Sequence, residues 1–534
     1  MLHYRPSAFS TFMTQVTAID KSIVPSGQVT MADELKSFYT SIGLSELDSQ
    51  TLSNRYDVVN EYGLGPNENL DLACLAGQLS LGYENVHVRP LNQTVVGENW
   101  SLSCVAEPHC IFQPTDALGV SKAIKIIQHY RIVFSTRSGG HSPNPGWSSN
   151  SNGILLDLQK LDHVSLNSEK TVASVGPGAR WGNVIAMLDE QKTSVIGGRI
   201  PNVGVGGLLL GEGFFHFSGE FGLAADNVKN FEIVLANGTI TNANASQNAD
   251  LFWALKGGGP NFGIVTRYDL LTVPVRDIWY RWDAYPIDQA EKVLDALFAW
   301  QSAGASDLKS TVALIMSLDS AVVGLIYSAP VEHPAAFAPF YQLGNASALV
   351  PPIKGTVKTL TDFLANTFSD QPLRHDYRAA SSKVDLQLYK DVWNFWKVRA
   401  QKVRDTTGAN QTFTIQPIPK NMADQGVAKG GNPMGIPHED HQWWTTVVDW
   451  EDATDDDEVR SVSIETSKAW EALGQYRSTF LPHIFMNDAS RDQNPLASYG
   501  LENLTKLKQI ALKYDGDGLF QKLQNDGFLL SKAY

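Results

Sequence analysis

Arg137-Ser138-Gly139-Gly140-His141-Ser142 sets two adjacent glycines and a histidine directly after an apolar run. Without Cβ atoms, such a turn lets backbone N–H groups approach an anion closely. Taken alone, the hexapeptide is equally consistent with a tight strand-end turn and an incidental histidine. Two further stretches add weight. Gly197-Gly198-Arg199-Ile200-Pro201-Asn202-Val203-Gly204-Val205-Gly206-Gly207 runs on to Gly211-Glu212-Gly213, and Lys256-Gly257-Gly258-Gly259-Pro260-Asn261-Phe262-Gly263-Ile264-Val265 enters a β-rich segment. Gly204-Val205-Gly206 begins a dinucleotide fingerprint, but no helix carrying an acid about 20 residues on follows, so a nicotinamide site is poorly supported. Three glycine loops within one region point to an extended, phosphate-bearing ligand lying along backbone.

The elements that must position these loops are legible around them. Thr115 or Asp116 caps a predicted helix whose Leu118, Ala123, Ile126 and Ile127 share one face, ending near Tyr130. Strands are expected at 132–136, 154–158, 171–175 and 193–196, with a helix over 181–190. Segments 231–236 and 240–243 flank Asn237-Gly238, a pair suited to a type I′ hairpin turn. A β-rich run follows over 262–272.

Beyond about Arg276 the texture changes. Helices are predicted near 288–302, 386–404 and 455–473, and strands near 310–316, 321–328, 412–417 and 443–449. Nine of the 13 tryptophans lie between Trp279 and Trp470, giving an α+β region with an aromatic-rich interior. Trp443 and Trp444, neighbours on a strand, must point to opposite faces. The tail, 502–530, reads as a helix followed by short turns.

The chain has 534 residues, 43% of them hydrophobic, 18% charged and 10% aromatic, which suits two or three packed cores and excludes a disordered or fibrous chain. Its 42 basic against 56 acidic residues give a net charge of −14, which disfavours nucleic acid as a partner. No apolar stretch is long enough to cross a membrane; the best candidate, 312–329, is broken by Asp319 and reads as two strands. Residues 1–27 lack the apolar core of a secretory signal, which suggests an intracellular or already processed chain. Seven glycosylation sequons, against roughly four expected by chance, point weakly to the secretory pathway. The compartment stays open.

No metal site is expected. His438-Glu439-Asp440-His441 lacks the HExxH spacing and reads as a solvated loop, and Asp455-Asp456-Asp457-Glu458 suits a helix start. The three cysteines, Cys74, Cys104 and Cys110, show no Cys-x-x-Cys spacing and allow at most one bridge.

Together, Arg137 to Ser142, the Val203-Gly204-Val205-Gly206-Gly207 run, Gly222 to Val228, Leu251 to Gly259 and Lys513-Tyr514-Asp515 resemble the FAD-linked oxidases of the berberine-bridge-enzyme-like group, within the vanillyl-alcohol-oxidase superfamily, and most of all its fungal members. The resemblance spans roughly 70–534. It implies an α+β protein with a two-part PCMH-type FAD-binding domain at 71–275 and 480–534, around a substrate domain at 276–479 whose antiparallel sheet is covered by helices. Residues 1–70 are left as an N-terminal leader with short helices.

The resemblance further implies that His141 bonds covalently to the 8α-methyl of FAD. A second link through cysteine is not expected, because Ile200 stands at that position. The remaining implied cofactor contacts are Arg137, Ser138, Gly139, Gly140, Ser142, Gly198, Val203, Gly204, Gly206, Gly207, Gly211, Asp226, Asn227, Gly263, Ile264, Val265 and Asn487. Val203, near the oxygen-reactive carbon, favours an oxidase over a dehydrogenase, although a small β-branched residue packed beside glycine reads the same way. Asn487 would orient the ring or the substrate. Cys74 and Cys110 stand where relatives often have a bridge, which leaves Cys104 free.

Two departures stand out. Glu212 interrupts the expected Gly-Gly-Gly and is expected to face solvent or pair with a cation. Phe485-Met486-Asn487 replaces Tyr-x-Asn, removing a hydroxyl, so any base must be a tyrosine or carboxylate from 276–479. The implied activity is hydride transfer from a small secondary metabolite to FAD, with O2 reduced to H2O2. The alternatives are a redox-neutral isomerase or cyclase on the same scaffold, and a flavin-free binding protein.

Overall fold

The computed structural model describes residues 31–62, 67–366 and 371–534, and three sheets organise them. The first is mixed and four-stranded, in the order Val86–Val88, Cys110–Phe112, Ile154–Asp157, Phe134–Arg137. Helix Ala117–Tyr130 covers it, capped by Asp116, whose carboxylate accepts the Gly119 N–H at 2.7 Å. Leu118 departs from expectation: it sits in the first turn, turned away from the face that Ala123, Ile126 and Ile127 bury, and is 55% exposed.

The second sheet is antiparallel, with Ile264–Val273 central between Val172–Val175 and Val228–Val234. The hairpin at Asn237-Gly238 forms, but not as a type I′ turn. Only Gly238 takes a positive φ, 78°; its N–H donates to Leu235 O while the Leu235 N–H donates to Thr239 O, which makes a three-residue loop with glycine in the left-handed region.

The third sheet has nine antiparallel strands, beginning with Ser347–Thr356, Asp277–Pro286, Ser320–Tyr327 and Ser310–Met316 and continuing through Phe413–Ile418, His441–Trp450 and Arg374–Lys383 to Phe480–Leu481, with the short ninth, Asn410–Gln411, paired to His441–Trp450. Helices Ala290–Ser302, Leu386–Thr407 and Asp456–Tyr476 pack on one face over a core containing Trp393, Trp396, Trp444 and Trp470. The opposite face buries Tyr280, Trp282 and Trp443 against the core of the second sheet. Trp443 and Trp444 thus divide between two cores, as strand alternation requires.

Of the segment expected as a leader, residues 1–30 lie outside the described residues. Helices Met31–Ser41 and Glu46–Tyr62 follow, and Phe38, Ile42, Leu52 and Val59 join the core beneath the first sheet. A Cys74–Cys110 disulfide ties helix Glu68–Leu81 to that sheet, while Cys104 is free and buried. At the other end of the chain, helix Leu501–Tyr514 precedes a return to the first sheet, where Phe134 and Asn525 exchange backbone contact (Asn525 N–H to Phe134 O, 2.7 Å). No helix among the described residues is long and apolar enough to cross a membrane.

Candidate active site

Strand Phe134–Arg137 ends on Arg137, which is fully buried. Its Nη2 donates to Asp157 Oδ2 at 2.9 Å and to Val95 O at 2.8 Å, with Asp157 on the adjacent parallel strand. Arg137 is therefore committed to anchoring the loop root. The loop then crosses the second glycine stretch at a distance only glycine permits: a Cβ on Gly139 would lie 2.5 Å from Gly204 N and Cα. Ser138 Oγ donates to Pro177 O and accepts the Gly206 N–H at 3.1 Å, and Arg180 bonds the carbonyls of Gly139 and Asn202.

The third stretch joins these two through Gly259 N–H to Leu210 O, 3.0 Å. Among the described residues, the N–H groups of buried Gly139 and Gly140, and that of His141, meet no protein acceptor. Buried donors are normally satisfied, so this cradle fits an acceptor-rich ligand such as the diphosphate of FAD. Gly207 is exposed, with open space where its Cβ would be.

His141 lies at the meeting point of the loops and the nine-stranded sheet. Its ring stacks on Trp100 at 4.3 Å, and Trp100 stacks in turn on His375 at 3.8 Å. Tyr377 Oη stands 3.4 Å from His141 Nδ1. Burial, reinforced by Arg180 and His375, lowers the His141 pKa to about 3, so the imidazole is neutral and carries a lone pair. His375 and Tyr377 share a face because they are two residues apart on one strand. Asp376 and Arg378, on the other face, pair with Arg460 and Asp492.

Asn487 reaches the glycine stretch rather than pointing freely into a cleft. Its Oδ1 accepts the Gly213 N–H at 2.9 Å and its Nδ2 donates to Gly207 O at 3.3 Å. Glu212 corrects the expectation of a solvent-facing carboxylate: it is 0% exposed at φ 91°. Its Oε1 accepts from Met486 N–H at 3.1 Å and Tyr499 O–H at 3.0 Å, and Oε2 lies 3.4 Å from His483 Nε2.

Beside these, Arg199 Nη2 donates to Gln416 Oε1 at 2.8 Å, and Gln416 Nε2 donates to Asp488 Oδ2 at 2.9 Å. Burial raises the Asp488 pKa against the pull of Arg199 and lowers that of Arg199. Val203, four residues after Arg199, is partly buried.

Other expected contacts serve the scaffold. Gly198 lies against Trp181, where a Cβ would meet the ring at 2.3 Å. Gly211 adjoins the Asn487 amide. Asp226 accepts from Leu223 N–H and Asn432, and Asn227 caps the Phe221 and Leu223 carbonyls. Gly263 abuts Val234 O, while Ile264 and Val265 pair with Val234 and Ile233 and bury their side chains. Ser142 accepts from Cys104 through its carbonyl. No cluster of three or more metal-ligating side chains occurs among the described residues; His438 pairs with Asp424, and His441 is buried on its strand.

Sequence reasoning assigned no role to Trp100, Arg199, Tyr377, His375 or Asp488. The local signals were the place of Arg199 inside the second glycine stretch and the adjacency of Asp488 to Asn487.

Residues 108–244 match the model of an FAD binding domain family. An FAD-dependent monooxygenase of Arthrobotrys oligospora is 37% identical over 468 residues, covering 87% of this chain and 90% of that protein. The chain belongs to this family of fungal FAD-linked oxidoreductases. This flavoenzyme shares its fold with solved oxidases of the berberine-bridge-enzyme-like group. The xylooligosaccharide oxidase of Myceliophthora thermophila superposes with a TM-score of 0.72 at 20% identity, covering 86% of this chain and 99% of its own. The glucooligosaccharide oxidase of Acremonium strictum, described as carrying 6-S-cysteinyl, 8α-N1-histidyl FAD, gives 0.70 at 19%, covering 86% of this chain and all (100%) of its own.

Proposed function

We propose that this flavoenzyme is an oxidase of a small secondary metabolite, holding FAD through a single covalent link at His141. The observation that carries the reading is the convergence of a neutral, cleft-lining histidine with a cradle of unpaired backbone donors at Gly139 and Gly140. Residues 71–275 with 480–534 form the FAD-binding unit and 276–479 the substrate side. FAD supplies a two-electron acceptor for a substrate C–H bond and returns the electrons to O2, giving H2O2.

The chain's own residues bind and orient. Gly139, Gly140 and Gly207 offer backbone to the cofactor, Ser138 and Asn487 fix the glycine stretch, and Trp100 holds the His141 ring in plane. Ile200 has no nucleophile, which leaves His141 as the sole attachment point, unlike the doubly linked Acremonium strictum enzyme. Val203 is small enough to leave O2 a path.

The name of the Arthrobotrys oligospora relative favours a second reading, monooxygenation, in which one oxygen atom of O2 enters the product. Purified wild type and His141→Ala are precipitated with acid. Yellow colour retained only by the wild-type polypeptide is expected; colour released equally by both defeats the covalent link. Stoichiometric H2O2 without label from ¹⁸O2 in the product supports oxidase over monooxygenase.

A further inference from the structure

Arg199, Asp488 and Tyr377 come from three separate parts of the chain: the glycine stretch, the turn Met486–Asp488 and strand Arg374–Lys383. Each lies within electrostatic range of the other two, and all three are strongly desolvated yet keep accessible surface. That combination marks side chains lining an internal cleft. Arg199 and Asp488 form no direct ion pair; Gln416, itself 3% exposed, stands between them and uses one guanidinium nitrogen and one carboxylate oxygen. Phe214 lies 4.9 Å beneath the Arg199 guanidinium and closes off one side.

The remaining Arg199 N–H groups can only donate, and the Asp488 carboxylate, which Thr445 also approaches, can only accept. Holding opposite charges apart in a desolvated cleft is costly unless a ligand bridges them. We infer that Arg199 and Asp488 form a two-ended clamp for a substrate bearing a hydroxyl beside an acceptor oxygen, as in a hydroxy-carbonyl compound. The acceptor oxygen takes the Arg199 donors, and the hydroxyl donates to the Asp488 carboxylate. A ligand with one function alone leaves the other end of the clamp unpaired, which is the source of the selectivity.

The inference rests on reading this cleft as the substrate side of the FAD site. It sets a hydrogen-bond-accepting carboxylate at 488 beside Tyr377, which belongs to the 276–479 segment. Tyr377, 3.4 Å from His141 Nδ1, sets the clamp beside the attachment histidine. The groups that face Asp488 are Arg199, Gln416 and Thr445, which favour its charged form, and Glu212, which opposes it; Asp488 in turn raises the Tyr377 pKa.

The test uses the holoenzyme and maltol, a small hydroxy-pyranone that is uncharged below neutral pH, with binding read by calorimetry and by the shift in flavin absorbance. Wild type is expected to bind maltol at least about tenfold more tightly than its O-methyl ether, the loss of one hydrogen bond to a charged group. Arg199→Met and Asp488→Asn should each erase that preference. Wild-type binding should weaken as falling pH protonates Asp488, while Asp488→Asn stays flat. Equal binding of maltol and its ether, or no maltol binding by wild type, overturns the clamp, and that comparison needs no variant to fold. A preparation without flavin but with maltol-selective binding would instead count against the oxidase reading and leave the clamp standing.

Discussion

Glu212 and Asn487 each clasp the backbone next to the other. The Glu212 carboxylate accepts the N–H of Met486, next to Asn487, while the Asn487 carbonyl oxygen accepts the N–H of Gly213, next to Glu212. Two segments 274 residues apart in sequence are thereby fixed in register, and Asp488 is delivered to Gln416. A glutamate at φ 91° bears backbone strain that glycine would avoid, so its retention here is explained by the contacts its carboxylate makes.

Breaking either half of this clasp should leave a backbone donor unpaired, at a cost of about 1–3 kcal/mol. Glu212→Ala and Asn487→Ala are each expected to lower the unfolding free energy by that amount, read from the shift of the urea midpoint at unchanged slope. Because both act on one junction, the double variant should lose less than the sum. Strict additivity would show that the two bonds act independently.

Val203→Leu should leave substrate-driven bleaching of the flavin nearly unchanged and slow its reoxidation by O2 by about tenfold or more, a barrier increase of about 1.4 kcal/mol. Stopped-flow absorbance separates the two half-reactions. Reoxidation at the wild-type rate would remove Val203 from the oxygen path.

The Cys74–Cys110 bridge closes a loop with a sequence separation of 36. On chain-entropy grounds its removal costs about 4 kcal/mol. The Cys74→Ala/Cys110→Ala variant should show a correspondingly lower denaturation midpoint, with FAD content preserved at low temperature. An unchanged midpoint would mean that the helix Glu68–Leu81 and its sheet are held by packing alone.

His216 and His441 are both buried, and desolvation lowers their pKa values to about 3 and about 4. The unfolded chain protonates histidine near pH 6.5, so between that pH and the folded values it binds more protons than the native state. The stability due to these neutral histidines is complete above about pH 6.5 and is lost as pH falls toward about 4. Urea midpoints from pH 7 to pH 4.5 should fall more steeply for wild type than for His216→Asn/His441→Gln. Parallel slopes would show that these histidines do not drive the acid sensitivity.

Local chemistry carried much of the reading. Apolar periodicity located the helices over 117–130, 181–190 and 386–404, the last of which runs on to Thr407, and strand alternation put Trp443 and Trp444 on opposite faces, which the fold gives to different cores. Glycine density marked the loops, because close backbone approach leaves its trace in residue type, as at Gly139 against Gly204. Strand Arg374–Lys383 escaped notice because both its faces are polar: His375 and Tyr377 face Trp100 and His141, while Asp376 and Arg378 face Arg460 and Asp492. The binary pattern that signals a strand needs one apolar face, and here there is none.

The sequence by itself marked an extended, phosphate-bearing ligand through glycines whose roles depend on backbone geometry over a few residues, and the resemblance those motifs carry implied that it is FAD. The tertiary structure alone decided the direction of Glu212, the commitment of Arg137 to Asp157, and the meeting of Arg199, Tyr377 and Asp488. Those outcomes depend on partners far away in the chain. Whether a charged side chain meets water, a counter-charge or a buried donor is set by which surfaces pack together, and residue type alone does not encode that.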